Sequence, residues 1–142
     1  MGNMNVKPAD GKLGVLCVGL GAVTSTFMTG VLMARKGLAK PVGSMTQYDK
    51  MRVGRGENKK YLHYGEIVPL ADLKDIVFGA WDVYPANAYE SAINAEVLKE
   101  RDINPVKDEL EKIVPMKAAF DKKFASRLEG DNVKQCKNRW DM

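Results

Sequence analysis

The segment Lys12–Val18 (KLGVLCV) runs straight into Gly19-Leu20-Gly21 and then into Ala22–Lys36, and this succession limits the fold more than any other stretch of the chain. A compact apolar run that ends in glycine has the pattern of a strand buried on both faces. Past the glycines, Val23, Phe27, Val31 and Ala34 recur at three- and four-residue steps, as one apolar face of a helix requires. Arg35 and Lys36 fall in its last turn and Gly37 follows, a conventional helix stop. Strand, glycine turn and helix open a βαβ unit, so the expected class is α/β, with a mainly parallel sheet and flanking helices.

Between Lys40 and Pro69 the residues Pro41, Gly43, Gly54, Gly56 and Gly65 punctuate the chain. The reading there is a long excursion with short extended pieces near Val42–Tyr48 and Glu66–Leu70. Asp75–Phe78 (DIVF) reads as a second buried strand, again ended by glycine. Asn87–Lys99 reads as a helix with Asn87 at its N-cap and Glu90 three residues on, the capping-box spacing. Asn104-Pro105 starts another helix through about Ile113, with proline at its first position and Pro115 ending it. Phe120–Arg127 and Val133–Asp141 read as further short helical pieces.

Composition narrows the class. With 142 residues, 45% hydrophobic and 28% charged, the chain can bury one modest core and is neither disordered nor collagen-like. Cys17 and Cys136 belong to no CxxC or His cluster, so a reduced, cytoplasmic setting is the default expectation. The net charge of +4 is uneven: residues 1–70 hold 10 Lys/Arg against 4 Asp/Glu, and residues 71–142 hold 12 against 14. The basic excess is scattered through loops around Lys50–Lys60 rather than forming a stripe interleaved with aromatics, which argues against a nucleic-acid partner. Leu13–Val18 is far too short to span a bilayer, and Met1–Lys12 lacks the apolar core of a signal peptide, so no membrane partner is expected.

Gly19-x-Gly21 at a strand-to-helix junction is where a dinucleotide pyrophosphate would sit. The first glycine makes the tight turn, the second lets the backbone approach the phosphates, and the helix N-terminus offers free N–H groups and partial positive charge. Thr24 stands where the usual fingerprint has its third glycine, and a tight turn that binds nothing has the same two glycines. The acidic residue expected about 20 positions later on the ribose hydroxyls is missing, since the chain there reads Lys40-Pro41-Val42. Asp82, just past the second expected strand, is the better candidate. Two roles stay open to it: facing a ligand crevice, or capping the turn that follows.

Several segments together resemble the inositol-3-phosphate synthases, also called myo-inositol-1-phosphate synthases. They are Gly19-Leu20-Gly21-Ala22-Val23-Thr24-Ser25-Thr26-Phe27, Gly43-Ser44-Met45-Thr46-Gln47, Phe78-Gly79-Ala80-Trp81-Asp82-Val83 and Asn87-Ala88-Tyr89-Glu90, in the family's order. Val68-Pro69-Leu70-Ala71-Asp72-Leu73 and Pro115-Met116 are similar to the branch found in archaea and many bacteria. The resemblance runs from about Gly14 to the end of the chain. Ala80 stands where the family usually has glycine, which places a methyl on the expected approach to the ligand.

This resemblance implies a Rossmann-like NAD-binding domain over residues 13–142, preceded by a flexible lead over 1–12. It implies an isomerase that converts D-glucose 6-phosphate to an inositol phosphate by oxidation at C5, enolisation at C6, attack of C6 on the C1 aldehyde and reduction of the ketone. The cofactor NAD is then not consumed. Gly19, Leu20, Gly21, Ala22, Val23 and Thr24 would line the pyrophosphate, Asp82 with Val83 would lie against the adenosine ribose, and Ala118 and Ala119 would wall the nucleotide. The family's catalytic lysines and acids lie in a second domain beyond Met142, so the chain is expected to be an incomplete cofactor domain, catalytically silent alone. A homotetramer is implied as well. An ordinary NAD-dependent sugar-phosphate dehydrogenase, or a non-catalytic nucleotide-binding module, remains the alternative. His63, the one histidine, reads as a loop packing residue, Cys17 as a small buried side chain, and Arg52, Arg55, Lys59 and Lys60 as a solvated loop cluster.

Overall fold

The computed structural model describes Lys7 and residues 10–142, so most of the expected lead lies outside the described residues. In chain order the elements are β1 (Leu13–Val18), α1 (Ala22–Arg35), α2 (Met45–Tyr48), β2 (Lys50–Val53), β3 (Lys60–His63), α3 (Tyr64–Ile67), β4 (Ile76–Asp82), α4 (Ala88–Asn94), α5 (Glu100–Ile103), α6 (Lys107–Leu110) and β5 (Met116–Lys117). The main sheet is parallel, in the order β1-β4-β5, and β2 pairs with β3 as a separate antiparallel hairpin. The α/β class with flanking helices is as the sequence implied.

Helix α1 forms where expected, but with a different face inward. Ser25, Met28, Thr29 and Leu32 are its buried residues, at the i, i+3, i+4, i+7 spacing of a helix face, whereas Val23 is 85% exposed. The hydropathy pattern failed because Ser25 and Thr29 bury without leaving a polar group unpaired. The Thr29 hydroxyl donates to the Ser25 carbonyl at 2.8 Å and the Ser25 hydroxyl to the Ala22 carbonyl at 3.3 Å. These small side chains bring α1 close to its neighbours. Phe27 turns instead to the sheet, where its ring meets Phe78 edge-on with centroids 5.6 Å apart.

The core joins Leu20, Met28, Leu32, Ala80, Ala88, Ala92, Ile103, Val106 and Leu110, and so fills the space between α1, α4, α5–α6 and one face of the sheet. Ala80 is 1% exposed within it. Its methyl therefore packs against helices rather than narrowing an approach to a ligand, contrary to expectation. Arg35 at the end of α1 fastens the helix to the start of β4: Nε donates to the Leu73 carbonyl at 2.6 Å, Nη2 donates to the Ile76 carbonyl, and the guanidinium lies 5.6 Å from the Phe78 ring centre.

Several expected boundaries move. β1 is not buried on both faces, since Leu16 and Val18 are exposed. β4 runs through Gly79 to Asp82, because its backbone pairs with β1 from Leu13 opposite Ile76 to Val18 opposite Trp81 and with β5 at Trp81 and Asp82. The extended pieces expected at 42–48 and 66–70 are instead the short helices α2 and α3, and the strands fall between them as the hairpin. Gly54 makes that turn possible, with φ of +86°. His63 ends β3 exposed, rather than packed in a loop, and its N–H donates to the Glu66 carboxylate at 2.8 Å. The capping box at Asn87 and Glu90 is present in both directions, at 2.9 and 3.0 Å, although α4 stops at Asn94. Pro105 sits in a short 3-10 turn leading into α6. The pieces expected over 120–127 and 133–141 are turns, with one 3-10 turn at Arg139–Asp141.

Candidate cofactor site

The site is built where β1 ends. Gly19 has φ of +95°, a conformation that side chains strain, and its N–H donates to the Trp81 carbonyl at 2.7 Å. The chain can therefore leave the sheet in one residue and enter α1. Gly21 is the N-cap and offers no side-chain acceptor, so the first-turn amides of this 14-residue helix before Ser25 lack a cap. The Ser25 N–H already closes on the Gly21 carbonyl at 3.0 Å. A Cβ at Gly21 would meet nothing within 4 Å, which describes an open cradle in front of uncapped, partly positive N–H groups. That arrangement fits a pyrophosphate.

Asp82 is the last residue of β4 and reaches this turn from the adjoining strand. Its Oδ2 accepts the Leu20 N–H at 2.5 Å and its Oδ1 accepts the Tyr84 N–H at 2.9 Å. Both readings of Asp82 thus have a structural basis: it caps the turn after β4, and it stands at the carboxyl end of a parallel strand beside the glycine turn. The reason no acid appears about 20 residues after the glycines is now visible. The segment between α1 and β4 carries α2, the β2–β3 hairpin and α3. That insertion postpones the next parallel strand, and its terminal acid, to Asp82.

A cleft of about 280 Å³ opens here, lined by Leu20, Gly21, Ala22, Asp82, Tyr84 and, from α4, Ser91 and Asn94 among others. Val23 and Thr24 follow in the first turn of α1 but do not line it. Val83 is buried, and its carbonyl accepts the Asn132 N–H at 2.8 Å. Ala118, also buried, follows β5 on the same carboxyl edge of the sheet, with half-buried Ala119 beyond it. Asn132 was not singled out in the sequence, yet it organises this edge. Its side-chain amide donates to the Asp82 carbonyl at 3.0 Å and the Met116 carbonyl at 3.3 Å, and its own carbonyl accepts the Ala118 N–H at 2.9 Å. Tyr84, Ser91 and Asn94 were missed too: Tyr84 arrives with the end of β4 beside Asp82, and Ser91 and Asn94 reach the glycine turn only through the packing of α4 against α1.

A larger concavity of about 710 Å³ lies entirely within residues 120–142. Its Arg139 is engaged with Asp121 at 3.4 Å and its Lys134 donates to the Asp141 carbonyl. The backbone N–H of Lys123, together with Arg139, holds the Asp121 carboxyl below the usual carboxylate range. Among the described residues no group of His, Cys, Asp and Glu is placed to hold a metal ion, and no helix is long and apolar enough to cross a membrane.

The family model of myo-inositol-1-phosphate synthase, of the NAD-binding kind, matches residues 13–142. The chain belongs to the myo-inositol-1-phosphate synthase family. It is 56% identical over 138 residues to inositol-3-phosphate synthase 1 of Bacteroides thetaiotaomicron, covering 96% of this chain and 32% of that protein. With inositol-3-phosphate synthase isozyme 1 of Arabidopsis thaliana it shares 31% identity over 134 residues, 86% of this chain and 26% of the relative. The crystal structure of inositol-3-phosphate synthase from Caenorhabditis elegans superposes with a TM-score of 0.77 at 24% identity, over 95% of this chain and 29% of that one, which establishes the fold. The chain therefore spans between a quarter and a third of these relatives. It is a Rossmann-like domain of the family's NAD-binding type.

Proposed function

We propose that the protein containing this chain is an inositol-3-phosphate synthase, converting D-glucose 6-phosphate to 1D-myo-inositol 3-phosphate, with this chain supplying the bed for NAD. The observation that carries the reading is the uncapped N-terminus of α1 behind Gly19 and Gly21, with Asp82 fixed beside it, in a chain that belongs to this family. When bound, NAD supplies hydride acceptance and return, so the overall reaction is an isomerisation. The chain's own part is to bind and orient. The first-turn amides of Ala22, Val23 and Thr24 lie where the pyrophosphate is to be held. Asp82, its carboxylate steadied by the Leu20 and Tyr84 amides, would hold the ribose, and Val83, Ala118 and Ala119, which lie along the same sheet edge outside the cleft lining, would back the nucleotide. The catalytic lysines and acids belong to the remainder of the protein, so the chain alone is inactive.

The assembled enzyme is proposed to be a cytoplasmic homotetramer. Incubating the full-length protein with glucose 6-phosphate and catalytic NAD, with phosphorus NMR and NADH absorbance as readouts, tests the reading. An inositol phosphate without net NADH is expected. Net NADH with an oxidised sugar phosphate would make it a dehydrogenase, and NAD binding without product would leave a nucleotide-binding module.

A further inference from the structure

β4 stops at Asp82, and the chain bends away from the sheet at Val83. The carbonyls of both residues share one partner, Asn132, which lies 50 positions beyond Asp82. Its side-chain Nδ2 donates to the Asp82 carbonyl at 3.0 Å, and its backbone N–H donates to the Val83 carbonyl at 2.8 Å. The same Nδ2 reaches the Met116 carbonyl at 3.3 Å, and the Asn132 carbonyl accepts the Ala118 N–H at 2.9 Å. The Lys134 N–H closes on the Ala118 carbonyl at 2.8 Å, and Val133 pairs with Ala118 in parallel. Residues 132–134 thus clasp the ends of β4 and β5 together. Gly130 permits the approach, since a Cβ there would collide with the Val83 carbonyl. An atom set between two carbonyls must be the NH2 of the amide, so the partners fix the orientation of this side chain. A carboxylate at 132 has no donor to offer, and a hydroxyl has only one.

We infer that Asn132 is a positioning residue for the cofactor, acting through Asp82. This role presupposes NAD beside the glycine turn, as proposed above. Asn132 does not line the cleft, so its effect on the ligand passes through the residue it holds. The Leu20 and Tyr84 amides fix the Asp82 carboxylate, and Asn132 fixes the Asp82 main chain. Without the clasp the strand end moves and carries the carboxylate with it. A binding group has to stay within about 0.5 Å of its productive place, so this motion costs affinity. The fold loses less, because Asn132 is only half-buried and water can take its place on the two carbonyls.

The test uses the full-length protein, with NAD binding followed by calorimetric titration and stability by thermal unfolding. Asn132→Ala is expected to weaken NAD binding about five- to tenfold, the equivalent of one neutral hydrogen bond. In an Asp82→Ala background the same substitution is expected to change NAD affinity by less than about twofold, because the group it positions is gone. Asn132→Ser keeps one donor at the same place and is expected to fall between wild type and Asn132→Ala. It carries the test if the alanine variant fails to fold. Equal weakening in both backgrounds would reveal a general loosening and overturn the inference. Unchanged affinity on the wild-type background would overturn it as well. A wild-type protein that binds no NAD would overturn this role and the cofactor reading together, whereas the two preceding outcomes leave that reading standing.

Discussion

The Leu20 backbone N–H donates to the Asp82 carboxylate at 2.5 Å, joining two residues 62 positions apart in the sequence. This bond ties the exit of β1 to the end of β4 at the point where a dinucleotide would lie across both. Asp82 accepts from Tyr84 as well, so its orientation is fixed before any ligand arrives. In the full-length protein, Asp82→Ala is expected to cost about 1.5–3 kcal/mol of stability, the range for hydrogen bonds to a charged group, and to weaken NAD binding about tenfold or more. Calorimetric titration with NAD and thermal unfolding check the two effects. Unchanged affinity would remove Asp82 from the site.

The two glycines of the turn do different work, and substitution separates them. Gly19 has φ of +95°, so Gly19→Ala is expected to cost about 1–3 kcal/mol and to lower NAD affinity as the turn shifts. Gly21 has φ of −87° and free space around its missing Cβ. Gly21→Ala should therefore change stability by less than about 0.5 kcal/mol while still weakening NAD binding, because the methyl stands where the phosphates approach. Equal loss of stability in both variants would contradict this division.

Gly130 holds the C-terminal segment against the site edge. A Cβ there would fall inside the van der Waals distance of the Val83 carbonyl, the same group that accepts the Asn132 N–H. Gly130→Ala is expected to destabilise by about 1–3 kcal/mol, with hydrogen exchange rising first at Asn132 and Ala118. Wild-type exchange at those amides would sink the assignment.

Lys36 at the end of α1 meets Glu109 of α6 at 2.7 Å and also donates to the Pro105 carbonyl at 2.8 Å. The Lys36 ammonium holds the Glu109 carboxyl below its ordinary value of 4.5. The stabilisation from a lowered carboxyl is complete above that ordinary value and is lost as pH falls through the lowered one. Both side chains are more than a third exposed, so the contribution is at most about 1 kcal/mol. Glu109→Gln should accordingly narrow the difference in melting temperature between pH 7 and pH 3 and leave the basic side of the profile alone. An unaltered acid limb would show that the pair contributes nothing.

What the sequence determined by itself was local. The glycine turn, the Asn87–Glu90 capping box and the proline at the start of the 104–113 segment each depend on residues within a few positions of one another, and each is found in the structure. Only tertiary structure decided the rest, because it depends on partners far along the chain. α1 turned Ser25 and Thr29 inward because α4 and α6 pack against it and the two hydroxyls are satisfied by its own carbonyls. Asp82 and Asn132 became parts of one edge through the pairing of β4 with β1 and β5, a long-range register that no local pattern encodes. The apolar run of β1 announced burial on two sides, but which side its own chain covers was settled only when the helices took their places on the Phe78 face.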